Sequence, residues 1–395
     1  MKKIWIAIGI VVVVVVVALV IVLLVTQTKK EPDIVTQPKK EPEEIKIGAV
    51  FSQTGPLAPY GEKALEGFHL ALEKIKKSGL MVEVVLEDAQ STPQGAVSAF
   101  QKLATVDKVP VVIGPEASSL AMAIAPLTNK YKIVLFAPTV SVDAYTTPND
   151  YTFRNWPAAR LIAEKMALVA YEKLNFRKIA MLYINNDMGV SYITSFKKKF
   201  EEIGDKILVT EAYSPDVTDF RTQLSKIKAA KPEALYLIGQ VEMGQILKQM
   251  KELSLSTQIL SGIGIEDPKV KEVAGNLING VIYTTPAYNP DLDDPVITNY
   301  EKSFRERYNK QSEIFAAATY DAMKILEKVF NEGNMSSDQI KDALFKIKDF
   351  HGVTGTISFD FNGDVIKDIA VKEIINGEFV FLDADLKPIH KQIQR

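Results

Sequence analysis

Two apolar runs in the first half of the chain each lead into a short hydroxyl-bearing turn. Pro110–Gly114 runs into Pro115-Glu116-Ala117-Ser118-Ser119, and Lys132–Ala137 runs into Pro138-Thr139-Val140-Ser141. Continuous apolar runs of this length read as strands buried on both faces, and ligands of α/β sheets collect outside the carboxyl ends of such strands. Ser118 also opens a predicted helix, whose free N–H groups and positive dipole end attract an anion. The chemistry on offer is hydrogen bonding to a small polar molecule. The alternative is that Ser118 only caps a helix while Thr139 and Ser141 close a turn. Two such turns at adjacent strand ends favour ligand contact.

Other chemistries find no support. Cysteine is absent, which removes disulfides, thiolate metal sites and cysteine nucleophiles. His69, His351 and His390 are far apart and none stands in a metal-ligand spacing. No phosphate loop, dinucleotide fingerprint or Gly-x-Ser-x-Gly elbow with a histidine partner is present, so no catalytic residue and no cofactor is assigned. Asp360-Phe361-Asn362-Gly363-Asp364 has its glycine at the fourth position, and Val371 stands at the twelfth where a calcium loop needs glutamate; it reads as a turn. With 47 basic and 49 acidic residues the net charge is −2, which leaves no nucleic-acid footprint.

The elements that must position these turns follow from length and pattern. At 395 residues the chain is long enough for two domains, each with its own core. Ile4–Val25 is apolar throughout and includes seven consecutive valines. As a helix it would be roughly 33 Å long, enough for a hydrocarbon core of roughly 30 Å. No Ala-x-Ala site follows, so residues 1–25 are expected to be an uncleaved membrane anchor rather than a removed signal peptide. The binding domain is then extracytoplasmic. Residues 26–44, rich in Lys, Glu, Pro and Thr and carrying a repeated ten-residue unit, read as a disordered linker. From Ile45 strands and helices alternate as in a doubly wound α/β fold, in two successive sets. The pattern predicts a helix over Ala64–Ser78 and others near Ser118–Tyr131, Gly189–Ile203 and Ile314–Phe330.

Ile47-Gly48-Ala49-Val50-Phe51-Ser52-Gln53-Thr54-Gly55-Pro56, then Tyr60-Gly61, the two hydroxyl turns, and Glu242-Met243-Gly244-Gln245-Ile246-Leu247 occur in a recognisable order. In that order the chain resembles the extracytoplasmic solute-binding proteins of branched-chain amino-acid ABC transporters, from about Ile45 to its end. The resemblance implies a type I periplasmic binding protein fold, a Venus flytrap of two α/β lobes joined by three crossovers. Lobe I would comprise residues 45–156 and 285–360, lobe II residues 157–284 and 361–395. It implies a small-molecule ligand held between the lobes, an amino acid or a related carboxylate or amide. It also implies an ABC permease with ATPase subunits as partners. Rivals are a sensing domain working with a separate signalling partner, and an α/β enzyme.

Carried over residue by residue, the resemblance places the ligand carboxylate against Ser118, Thr139 and Ser141, with Ala117 in the same first turn and Tyr60 lining the cleft. Glu116 replaces an apolar position there; it either balances a ligand cation or is a solvated turn glutamate, the commoner state of that residue type. Trp156 falls at the first crossover, where it walls the pocket or packs the hinge. Lobe II departs from the pattern. Ile263 stands where amino-acid binders of the family place the glutamate that receives the ligand ammonium, with Glu266 three residues later. Met188 and Gln240 stand where aromatics are expected. The ligand is therefore an amino acid bound with altered ammonium contacts, or a molecule lacking that group.

Overall fold

A computed structural model describes residues 12–22 and 44–389. Residues 12–22 form helix α1 and belong to a different compact unit from the rest of the described chain. The remainder of the expected anchor, the linker up to residue 43, and His390 lie outside the described residues. Among the described residues no helix is long and apolar enough to cross a membrane.

The first sheet is parallel throughout. Strands β1 (Ile45–Phe51), β2 (Val82–Asp88), β3 (Val111–Ile113), β4 (Val134–Ala137) and β5 (Thr152–Arg154) lie in the order β2-β1-β3-β4-β5. Helices α2 (Ala58–Lys77), α3 (Pro93–Lys102) and α4 (Ser118–Tyr131) connect successive strands and cover both faces. The order reverses between β1 and β3, so the carboxyl ends of those two strands flank the crevice where such sheets hold ligands. Ser52 and the turn from Gly114 to Ser118 sit there.

The second sheet repeats this winding. After α5 (Ala159–Leu168) come β6 (Ile179–Ile184), α6 (Asp187–Glu202), β7 (Ile207–Tyr213), α7 (Arg221–Ala230), β8 (Ala234–Ile238), α8 (Met243–Glu252), β9 (Gln258–Gly262), α9 (Pro268–Ala274) and β10 (Ile282–Pro286). Strand β7 lies outside β6, and β8, β9 and β10 follow on the other side, all parallel. The switch point here lies between β6 and β8, and it brings the turns bearing Met188 and Gln240 together.

Helices α10 (Pro295–Tyr308), α11 (Ile314–Asn331) and α12 (Ser337–Phe345) return to the first lobe. There α11 packs on α2 so closely that a Cβ on Gly67 would lie 1.9 Å from the Ala316 carbonyl oxygen. A small antiparallel sheet follows, of β11 (Phe350–Gly352), β12 (Gly355–Phe359) and β13 (Val365–Ile366). Phe359 meets Phe136 and Phe153 edge-on. Each such buried ring stabilises the lobe by about 1.5–3 kcal/mol. The chain then adds β14 (Ile369–Ile375) and β15 (Glu378–Leu382) antiparallel to the second sheet.

Two expectations shift. The passage into the second lobe comes at Lys367–Asp368 rather than Phe361, because β13 still pairs with β12 and Arg154 Nε donates to Asp364 Oδ1 at 2.6 Å. Helix α2 starts at Ala58, not Ala64, since Pro59 is tolerated in a first helical turn. Three segments join the lobes and bond to one another. Ala287 N–H donates to the Asp368 carbonyl at 2.9 Å, and Lys367 Nζ donates to the Asn155 carbonyl at 3.3 Å.

Candidate functional site

The site begins at the carboxyl ends of β1 and β3. Gly61 is required beside Ser52: a Cβ there would lie 2.0 Å from the Ser52 carbonyl oxygen, so the first turn of α2 can sit on the end of β1. That contact seats Tyr60 in a buried position on the helix rather than in an exposed turn. Glu116 is only 4 % exposed, which corrects the solvated reading. Its Oε2 accepts the Ser52 N–H at 3.2 Å, and burial raises its pKa above the usual carboxylate range. The hydroxyls of Ser52 and Tyr60 and the Glu116 Oε1 atom are all buried without a hydrogen-bond partner.

The two hydroxyl turns interlock. Thr139 Oγ1 donates to the Glu116 carbonyl at 2.9 Å, and Ser118 Oγ accepts the Ser141 and Val142 N–H groups at 3.3 and 3.4 Å. The N-cap of α4 is Ala117, which supplies no side-chain cap. Ser118 is therefore not a cap; its hydroxyl ties the two turns together, while the first N–H groups of α4 remain oriented outward from the helix end. Ser118, Thr139 and Ser141 are all buried.

An aromatic wall stands against this row. Phe315, at the start of α11, stacks on Trp156 with ring centroids 5.4 Å apart and meets Tyr60 at 5.6 Å. Trp156 thus both packs the crossover and walls the cleft. From the second lobe Tyr192 on α6 turns its hydroxyl toward Ser141 and Trp156, and burial raises that hydroxyl's pKa. Ile263 and Asp267, from the turn after β9, face Tyr60 and Phe315 across a space of about 20 Å³. That volume is near a single water's worth, so the lobes are drawn together. Burial and the neighbouring Asp267 charge push the Tyr60 hydroxyl well above its ordinary pKa. A carboxylate latch closes the rim: Asp143 Oδ2 accepts the Ser191 and Ser195 hydroxyls of α6 at 2.8 and 3.2 Å. Outside it runs an open groove of about 560 Å³, between Met122 and Asp143 on one side and Asn186 and Ser191 on the other. Small-molecule sites enclose most of their ligand, so the buried row is the better candidate.

Comparisons with known proteins agree with the two-lobed α/β fold. The model of the periplasmic binding protein family matches residues 44–378. The chain belongs to that family. A leucine-, isoleucine-, valine-, threonine- and alanine-binding protein of Pseudomonas aeruginosa is 26 % identical over 331 residues, 82 % of this chain and 87 % of that one. Among solved structures, a leucine-binding protein of Thermotoga maritima is 28 % identical with a TM-score of 0.80, covering 86 % of this chain and 98 % of that chain. A branched-chain amino acid transporter substrate-binding protein of Streptococcus pneumoniae, in complex with isoleucine, is 27 % identical with a TM-score of 0.78, covering 85 % and 98 %. These relatives are solute-binding proteins, not enzymes.

Within this periplasmic binding protein, the turn bearing Glu116, Ala117 and Ser118 is hydrogen-bonded to the turn bearing Thr139 and Ser141, and Tyr60 and Ile263 line the same small space. Met188 packs against both faces of the second sheet, and the Gln240 N–H donates to Glu242 Oε1 at 2.9 Å; neither lines the space at Tyr60. Glu266 also lines the space at Tyr60, with its Oε1 accepting from Tyr283 Oη at 2.5 Å and Lys372 Nζ at 2.9 Å. Sequence reasoning missed Phe315, Tyr192, Asp143 and Asp267. The one available signal was that Phe315, Asp143 and Asp267 stand at or just beside element starts; Tyr192, inside α6, carried none.

Proposed function

We propose that the protein captures an amino acid or a related small carboxylate between its lobes and delivers it to an ABC permease. It does so as the extracytoplasmic, membrane-tethered component of the transporter. The observation that carries this reading is the pair of buried hydroxyl turns tied together at adjoining strand ends, in a lobe that also holds the aromatic cluster of Tyr60, Phe315 and Trp156. Helix α4 would hold the carboxylate on its first N–H groups, with the hydroxyl turns beside them, and the aromatic rings would cover the apolar part. The leucine and isoleucine bound by the relatives described above belong to the same class of molecule. Closure follows from contacts made by both lobes: a ligand favours the closed state by the difference in its binding to the two states.

The test is a thermal-shift screen of the full-length chain against amino acids, small carboxylates, amides and polyols. A ligand at 100 times its Kd stabilises the native state by about 2.7 kcal/mol, a readily measured rise in midpoint. Failure of all of these, together with a shift by nucleotides, would sink the transport reading. For the tether, the check is whether protein recovered from membranes still begins at Met1. A soluble form beginning near Thr26 would contradict it.

A further inference from the structure

Glu116 is a buried carboxylate without a counter-charge. One oxygen accepts the Ser52 N–H, the other has no partner, and among the described residues the group enters no ion pair. Unpaired buried carboxylates are strongly unfavourable, and such a group at a switch-point crevice is a functional candidate. Burial is the first cause of its raised pKa, and the Asp88 charge adds to it. Both disfavour the ionised form, so a carboxylate here is stabilised as an anion only if a cation is brought to it.

The neighbours narrow the chemistry. Glu116 stands two residues before Ser118, at the helix end that would hold an anion. A ligand bringing only a carboxylate would set a second negative charge beside the first in a water-poor cleft, where like charges repel most. A zwitterion carries its own opposite charge to the same place. Ile263, which the second lobe sets across from Tyr60, offers nothing to a cation. Three carboxylates lining the space at Tyr60 are rival acceptors, but Asp267 caps α9 through the Lys269 N–H at 2.8 Å, Glu266 pairs with Lys372 at 2.9 Å and Glu313 pairs with Lys63 at 2.7 Å.

We propose that Glu116 Oε1 receives the ammonium group of the ligand, so that the cleft selects zwitterionic amino acids over carboxylates without an amine. This rests on the binding reading given above. The ammonium can be the one next to the carboxylate or one at the far end of the molecule, and the probes separate the two.

The experiment is isothermal titration of the full-length chain with leucine, 4-aminobutanoate, 4-methylpentanoate and benzoate. The wild type is expected to bind an aminated probe at least thirtyfold more tightly than 4-methylpentanoate, which is leucine without its amine. A preference for leucine assigns the ammonium adjacent to the carboxylate; a preference for 4-aminobutanoate assigns the distal one. Glu116→Gln is expected to weaken the aminated ligand at least tenfold and to narrow the gap to 4-methylpentanoate, with Asp267→Asn weakening it less. Equal binding of leucine and 4-methylpentanoate, an unchanged Glu116→Gln, or a loss that follows Asp267→Asn instead would overturn the proposal while leaving solute binding intact. If Glu116→Gln does not fold, Glu116→Asp, which draws the carboxylate back, takes its place with the same expected and overturning outcomes. Failure of every probe to bind would count against both readings.

Discussion

Removing the Asp143 carboxylate should open the cleft. Asp143 lies in the first lobe, and its Oδ2 accepts two hydroxyls from α6 in the second, Ser191 at 2.8 Å and Ser195 at 3.2 Å. Each net hydrogen bond contributes about 0.5–1.5 kcal/mol, and the partly wet rim places this pair at about 2 kcal/mol in total. The Asp143 N–H to Ser191 Oγ bond survives the substitution. In Asp143→Ala the closed state therefore loses about 2 kcal/mol relative to the open one, roughly a thirtyfold fall in its population. Apparent affinity scales with the closed fraction when the free protein is mostly open, so Kd should weaken by up to about thirtyfold. The assay is titration calorimetry with the ligand giving the largest thermal shift, paired with small-angle scattering of the liganded protein at a fixed concentration. Asp143 Oδ1 also accepts the Arg160 N–H at 3.0 Å, which could act on the start of α5 instead. The double variant Ser191→Ala with Ser195→Ala removes these bonds from the other side together with the Asp143 N–H bond to Ser191 Oγ, and should weaken binding at least as much as Asp143→Ala. A Kd within threefold of wild type in both variants, with unchanged scattering, would refute the latch.

Two further outcomes concern the frame. Asp364→Ala leaves Arg154, which is fully buried, with only the Val142 carbonyl at 2.7 Å and a weak Thr146 contact; urea unfolding should show a loss of about 3–5 kcal/mol, and a loss under 1 kcal/mol would be incompatible with this pairing. Lys367, whose stem is partly exposed while its ammonium turns inward to Asn155 and Thr354, has its pKa pushed down to about 8 by burial, against the pull of Asp321. Its native form sheds a proton before its unfolded form does, so the unfolded chain binds more protons between about pH 8 and the ordinary lysine range near 10.4. Stability measured as wild type minus Lys367→Met should therefore rise across that window, by roughly 1–3 kcal/mol. Parallel curves, or a fall, would contradict it.

Much of the scaffold was legible because its signals are local. Strands β1, β2 and β8 and helices α4 and α12 have the bounds that their apolar runs and turn residues imply. Helix α2 was cut short because proline reads as a breaker, whereas in the first turn its missing N–H costs nothing. Strand β5 was not legible at all: Thr152–Arg154 is too short to carry a period and is held by β4 alongside it.

By itself the sequence determined the α/β winding and the two hydroxyl turns, because periodicity and turn chemistry act over a few residues. The resemblance it carries leads to the expectation that Ile263 stands where a glutamate would receive an ammonium. Only the tertiary structure decided what those turns face. Phe315 reaches Trp156 and Tyr60 from the far end of the chain, Asp143 meets α6, and Asp364 neutralises Arg154 across 210 residues. The state of Glu116 was decided in the same way. A glutamate in a turn is ordinarily solvated, and this one is buried because Ser52, brought in by parallel pairing of β1 with β3, covers it. Burial is a sum over neighbours distant in sequence, and no window of residues around Glu116 contains them.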